Sequence, residues 1–253
     1  MRHVDADKGG GSGPLRDDAG VAKYRHEAIA AVLQVRPVSG TEAMALSVLA
    51  TRRRRAPYAR HWALPSGPVE VDESIGQSAR RHLAAKVDLA EVAHLEQLET
   101  LSDPARDPYD RTIATAYLGL VPWTSDPALP ANGGWLPVDE LPAMAFDHAA
   151  VVSHAVARTR AKLSYTNIGF ALASEEFTMA QLRDAYAAAL GHEVSATNLQ
   201  RILVRRGQLV ATGSLSAPGS AGGRPAKLFR FTSRGLAVTD PFATLRPTGV
   251  VHG

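Results

Sequence analysis

HWALPSGPVEVDESIGQSARRHLAAKVDL, residues 61–89, indicates the class of fold more clearly than any other segment of this chain. A loop rich in turn-forming residues ends at Gly67, and a segment with helical character runs from about Glu73 to Val87. Apolar runs of strand length stand on both sides of this loop and helix. Strands mixed with a helix predict a domain of the α/β or α+β class.

Five strands are predicted around this stretch. The first two, HEAIAAVLQV and EAMALSVLATR, are separated by a turn at Pro37–Gly40. The other three are expected at about residues 95–101, 111–121 and 135–137. A helix is predicted from Asp147 to Leu163, where apolar residues recur at near-helical spacing. This helix would carry the chain from a first domain into a second one.

The stretch at 61–89 resembles the Nudix box, whose pattern is G-x5-E-x7-R-E-U-x-E-E-x-G-U, with U an aliphatic residue. Five positions match the pattern: Gly67, Glu73, Arg81, Leu83 and Leu89. The resemblance implies that the N-terminal domain is a Nudix-like α/β/α sandwich.

The remaining positions of the box differ from the pattern. His82, Ala85 and Lys86 replace the three glutamates that bind Mg²⁺ in the Nudix family, and Asp88 replaces the later glycine. Mg²⁺ requires oxygen ligands, and an ammonium group repels it. Without the metal there is neither an activated water nor a Lewis acid for the cleavage of a pyrophosphate. We therefore expect no hydrolytic activity, no catalytic residue, no metal site and no resident cofactor.

The C-terminal part carries the signals of two short helices. Thr178 can cap the first helix, with Gln181 closing a capping box, and Gly191 can end it in a left-handed conformation. Ser195 can cap the second helix, and Gly207 can end it. Two short helices joined by a tight turn predict a helix-turn-helix motif.

The second of these helices carries one polar face. Asn198, Arg201 and Arg205 have i, i+3 and i+7 spacing, so they share the side opposite the apolar residues. Amide and guanidinium groups can bond bidentately to adenine and guanine in the major groove. The spacing therefore predicts a helix that reads base edges.

A basic hairpin is predicted after the two helices. Strand-like runs at 208–213 and 228–232 flank a loop rich in glycine and serine, which presents Arg224 and Lys227. Residues 195–239 contain seven arginines and lysines and no acidic residue, which is a charge distribution typical of DNA binding. Winged helices also serve as interaction or structural modules, so an adaptor that does not bind DNA is an open alternative.

The overall composition excludes some classes of protein. The chain has no cysteine, and hence neither disulfides nor thiolate metal sites. It has no run of about 20 apolar residues, so no membrane association is expected. A cytoplasmic location fits both observations. The net charge of +3 is only weak evidence for a nucleic-acid partner.

Segments in both halves resemble the Nudix-related transcriptional regulators of NAD metabolism, the NrtR group. The similar segments are Trp62–Gly67, Arg106–Pro108 with the strand that follows, Ala145–His148, Phe177–Thr178 with Leu182 and Tyr186, Asn198 with Arg201, and Gly223–Phe231. The resemblance implies a homodimer that binds a palindromic operator of NAD biosynthesis or salvage genes, represses them, and is released by ADP-ribose or a related nucleotide. Activation instead of repression is an open alternative, as is an ADP-ribose pyrophosphatase with an accessory domain.

The expected organisation follows from these features. It comprises a flexible tail at 1–23, a Nudix-like effector and dimerisation domain at 24–145, a connecting helix at 146–164, a winged helix-turn-helix domain at 165–241 and a tail at 242–253. The residues proposed to bind the effector are Arg53, Arg55, Trp62, Arg81, Lys86 and Arg111. We hypothesise that Lys86, with Arg81 and His82, replaces the charge of the metal. Alternatives are that Arg81 pairs with Glu73, that Trp62 is a core residue and that the other arginines meet water.

Overall fold

A computed structural model describes residues 16–38, 40–41, 43–217 and 225–240. The strands of its N-terminal part are β1 (Arg25–Pro37), β2 (Met44–Arg52), β3 (Trp62–Ala63), β4 (Ser66–Pro68), β5 (His94–Leu101), β6 (Thr112–Leu120) and β7 (Gly133–Pro137). They form a mixed sheet in which the long strand β1 is central, with β2 antiparallel and β6 parallel to it. All five predicted strands are present.

Helices cover both faces of this sheet. Ala30 and Val32 of β1 belong to the apolar cluster beneath helix α1 (Ile75–Val87). The residues that alternate with them, Ile29, Ala31 and Leu33, belong to the cluster that also contains helix α2 (His148–Tyr165). Successive side chains of a strand point to opposite faces, so this division shows an α/β/α sandwich.

Local signals determine where α1 begins and ends. Ser74 caps the helix, and Gln77 completes a capping box. At the other end Asp88 adopts a left-handed conformation with φ 52° and ψ 35°. This is the position at which the Nudix pattern has glycine, which adopts this conformation without strain. Aspartate is among the few other residues that tolerate it.

The C-terminal part contains two helices and a small sheet. Helix α3 (Met179–Leu190) and helix α4 (Ala196–Arg205) are joined by a turn that starts at Gly191, whose φ is 77°. Strand β8 (Phe177–Thr178) pairs with β10 (Lys227–Phe231), which pairs with β9 (Leu209–Leu215). The predicted caps at Thr178, Gln181 and Ser195 are confirmed.

The two parts share one apolar core. Leu182 and Tyr186 of α3 lie in the same cluster as Leu46 and Val48 of β2. Trp123, which follows the sheet, contacts Phe177 with ring centroids 6.1 Å apart. The helix-turn-helix is therefore packed against the sheet and is not joined to it by α2 alone.

None of the helices in the described part of the chain is long and apolar enough to cross a membrane.

Candidate nucleic-acid interface and effector cleft

Helix α4 buries one side and exposes the other. Leu199 and Leu203 are 7% and 2% exposed and anchor the helix to the core. Asn198, Arg201 and Arg205 are all exposed. The predicted polar face therefore lies on the surface, with dimensions and side chains suited to a major groove.

Two features of this face did not follow from the sequence analysis. The Asn198 side-chain oxygen accepts a hydrogen bond from Nη2 of Arg201 at 2.7 Å, so the amide orients the guanidinium. Val204 is 47% exposed and lies one helical turn from Arg201 and Gln200. Helical spacing places Thr197 on the same stripe. The signal for these residues is their position opposite Leu199 and Leu203 on the helical wheel.

The other basic residues of the C-terminal part divide into exposed ones and ones that bond to neighbouring residues. Lys227 lies exposed at the start of β10, and Arg230 is exposed on the same strand. Arg206 donates to the carbonyl of Ser164 at 2.8 Å and to the Asp240 carboxylate at 2.6 Å, so it fixes the end of α4. Arg224 lies outside the described residues.

Two basic residues near the end of α2 are likewise engaged. Lys162 is 2.8 Å from the Glu96 carboxylate, and its side chain is 13% exposed. Arg160 donates to the carbonyl of Ala189 at 3.1 Å, near the end of α3. Both side chains tie α2 to neighbouring elements.

A cleft of about 420 Å³ opens between β1, β4, the end of α1 and the loops at 53–57 and 106–110. Arg53, Arg55 and Lys86 line it, together with Phe146 and His148. Three of the six residues proposed for the effector are thus brought together. Trp62, Arg81 and Arg111 are not among the lining residues.

Lys86 points from the last turn of α1 into this cleft. Its ammonium group donates a hydrogen bond to the Ser66 carbonyl. Burial lowers the pKa of Lys86, and the positive charge of Arg53 and Arg25 lowers it further, whereas Glu27 acts in the opposite direction. The amine therefore faces a cleft that already has other cations on its walls.

The neighbours of Lys86 on α1 do not join it. Arg81 donates to both carboxylate oxygens of Glu73, at 2.9 and 2.5 Å. This hydrogen-bonded pairing lowers the pKa of Glu73 to about 2. His82 is 5% exposed, lies against Gly67, and has Nε2 3.0 Å from the Pro68 carbonyl. In this geometry Arg81 and His82 brace the loop that carries Gly67, and Lys86 alone of the three lines the cleft.

Trp62 and Arg111 have structural contacts. The guanidinium carbon of Arg52 lies 4.9 Å from the centre of the Trp62 ring, and the edge of the same ring lies close to Gly134. The guanidinium carbon of Arg111 lies 5.1 Å from the centre of the Tyr24 ring. The contacts of Trp62 agree with the alternative in which it is a packing residue, whereas the contact of Arg111 with an aromatic ring was not expected from the sequence.

The lining of the cleft also includes Arg106, Phe146 and His148, which are not among the residues proposed for the effector. Arg106 forms two hydrogen bonds of 2.9 Å to the carboxylate of Asp147, which precedes α2. Arg53 lies 4.7 Å from the ring centre of Phe146, a residue with a φ of 52°. His148 accepts a hydrogen bond from the Leu64 backbone at 2.9 Å, and burial lowers its pKa to about 4. The only sequence signal was the resemblance of the segments at 106–108 and 145–148 to the NrtR group.

The Mg²⁺ that the Nudix box implies does not fit these residues. Two of the replaced positions are occupied by a buried imidazole and an ammonium group, and Glu73 is engaged by Arg81. Within the described ranges, no group of three or more His, Cys, Asp or Glu side chains could hold a metal ion. The charge at this place is positive, which repels a cation and attracts an anion.

Comparison with known proteins agrees with both halves of this description. Residues 25–155 match the family model of the NUDIX domain, and residues 169–231 match that of the NrtR DNA-binding winged helix domain. The ADPR responsive transcriptional repressor NtrR of Acinetobacter baylyi is 28% identical over 193 residues, which are 74% of this chain and 76% of the relative.

Two solved structures extend the comparison to the fold. The crystal structure of Shewanella oneidensis NrtR complexed with a 27mer DNA matches with a TM-score of 0.66 and 25% identity, covering 81% of this chain and 92% of that one. A MutT/nudix family protein from Enterococcus faecalis matches in fold, with a TM-score of 0.64, 19% identity and coverage of 83% and 86%. The predicted resemblance and fold class are confirmed. The chain belongs to the NUDIX family, and its C-terminal part is a winged helix domain of the NrtR type.

Proposed function

We propose that this chain is a transcriptional repressor that binds a palindromic operator as a homodimer and leaves it when its Nudix domain binds ADP-ribose. The observation that carries the DNA part is the exposed face of α4, where Arg201 is oriented by Asn198 and flanked by Arg205. A bidentate guanidinium on an exposed helix is the commonest reader of guanine in the major groove.

The names of the relatives supply the rest of the proposal. The Acinetobacter baylyi relative is called an ADPR responsive transcriptional repressor, and the Shewanella oneidensis protein was crystallised with DNA. The resemblance to the NrtR group implies target genes in NAD biosynthesis or salvage, and action in the cytoplasm. A dimer with two-fold symmetry would place its recognition helices about 34–36 Å apart.

The domains have separate tasks in this proposal. The Nudix-like part senses the nucleotide and forms the dimer, α2 connects it to the winged helix, and Lys227 and Arg224 contact phosphate from the hairpin. The effector part does not hydrolyse its ligand, because His82, Ala85 and Lys86 supply no carboxylate for a metal.

A DNA-binding assay tests the proposal. Fluorescence anisotropy with fragments taken upstream of NAD-pathway genes should show specific binding that weakens steeply as salt increases, since phosphate contacts release counterions. Arg201→Ala should cost about 1–3 kcal/mol and relax the base preference, whereas Lys227→Ala should weaken all fragments alike. Arg80→Ala, which removes an exposed cation from α1, is the matched control.

The outcomes separate the parts of the proposal. Normal operator binding by Arg201→Ala would contradict the role of α4. Binding that ADP-ribose does not weaken would contradict effector release. Release of phosphate from ADP-ribose in the presence of Mg²⁺, in an assay coupled to a phosphatase, would support the alternative of an active pyrophosphatase.

A further inference from the structure

The position that in the Nudix pattern holds a metal-binding glutamate is occupied by Lys86. Its ammonium group is oriented by the Ser66 carbonyl and can still donate two hydrogen bonds. The orientation places a positive charge on the lining of the cleft.

The walls around this ammonium group have an excess of positive charge. The charged residues that line the cleft are five cations, Arg25, Arg53, Arg55, Lys86 and Arg106, and three carboxylates, Glu27, Asp107 and Asp110. Two of these cations have carboxylate partners, since Arg25 is 2.7 Å from Glu27 and Arg106 is bound by Asp147. Asp107 accepts hydrogen bonds from Tyr109 and Thr112.

The other three cations of the cleft, Lys86, Arg53 and Arg55, can face a ligand. Arg53 is fixed by its contact with Phe146 and by a hydrogen bond of 2.9 Å from Nε to the Pro57 carbonyl, which leaves its terminal nitrogens available. Arg55 is exposed and makes no ion pair within the described residues. A volume of about 420 Å³ lies in the range of small-molecule sites and admits a nucleotide-sized ligand.

We propose that Lys86, with Arg53 and Arg55, forms a diphosphate-binding site that works without a divalent cation. The ammonium group supplies at this place the positive charge that Mg²⁺ supplies in a hydrolase of this fold. The inference rests on the proposed function, since it names how the effector's diphosphate is bound. The ligand class is a nucleoside diphosphate or its sugar derivative, and the site binds it without cleaving it.

Isothermal titration of the full chain with ADP-ribose, in EDTA and again in MgCl₂, tests this inference. The affinity should be the same under both conditions. Lys86→Gln gives a polar side chain that is one bond shorter and has no charge, and should weaken binding about tenfold or more, as expected for the loss of a hydrogen bond to a charged group. Arg80→Gln on the exposed part of the same helix should bind like the natural chain.

Operator binding reports that each variant is folded, because Lys86 and Arg80 lie on α1, outside the proposed DNA-binding face of α4. A requirement for Mg²⁺, or equal affinity of Lys86→Gln and the natural chain, would overturn the inference while leaving effector sensing intact. Where ADP-ribose gives no heat, ADP and inorganic pyrophosphate serve as probes, and failure of all three overturns the inference. Failure of DNA binding with metal-free ADP-ribose binding intact would instead contradict the proposed function and support this site.

Discussion

Replacement of Asp147 by asparagine should destabilise the protein through the guanidinium that it leaves behind. The Arg106 side chain is 4% exposed, and Asp147 binds it through two hydrogen bonds of 2.9 Å. Breaking a buried ion pair by removing one partner costs about 3–5 kcal/mol. Because the Asp147 side chain is 25% exposed, water screens part of the pair, and we expect a loss of about 2–3 kcal/mol.

Asparagine has nearly the same shape as aspartate, so the change tests charge and hydrogen bonding without creating a cavity. For a chain of this size the loss corresponds to a decrease in Tm of about 4–12 °C. Thermal unfolding followed by circular dichroism measures it. Glu140→Gln, at an exposed acid, should change stability by about 0.5 kcal/mol at most.

A second variant tests the cause of the loss. Arg106→Met together with Asp147→Leu removes both charges and should recover much of the stability, because the unpaired guanidinium is then absent. A change within about 0.5 kcal/mol for Asp147→Asn would refute the reasoning. It would mean that Arg106 finds another partner among the acids of the cleft.

Three further predictions concern burial and backbone conformation. The pKa of His148 is lowered from 6.5 to about 4, so between these pH values the unfolded chain binds a proton that the folded chain does not. The free energy of unfolding should therefore fall by up to about 3 kcal/mol as the pH decreases from 6.5 to 4. Urea unfolding across this range should show the decrease, and His148→Gln is the comparison. Gly67→Ala would bring a methyl group into contact with the ring of His82 and should cost about 1–3 kcal/mol by urea unfolding, and an unchanged midpoint would contradict this packing. Gly191→Ala should destabilise the protein by about 1–2 kcal/mol, because alanine is strained at φ 77° and its Cβ would lie 2.7 Å from the Arg160 side chain. A stability equal to that of the natural chain would argue against the left-handed turn.

The sequence predicted the local features of the fold well. The capping box of Thr178 and Gln181 and the cap at Ser195 depend on hydrogen bonds between residues three apart, so the pattern of residues alone indicates them. The strands β3 and β4 were missed, because two or three residues are too few to show an alternating pattern. The sequence pattern of these residues predicts a loop.

The absence of the Nudix-box carboxylates and the amide and guanidinium face of α4 are both evident in the amino-acid sequence. Which cations lie together depends on the tertiary structure. Lys86 reaches the cleft, whereas Arg81 and His82, a few residues earlier on the same helix, turn to Glu73 and Pro68. The cleft joins segments that are far apart in the chain, such as those of Arg106 and Asp147, whose positions differ by 41. Contacts at that separation depend on packing of the whole sheet, which no local pattern records.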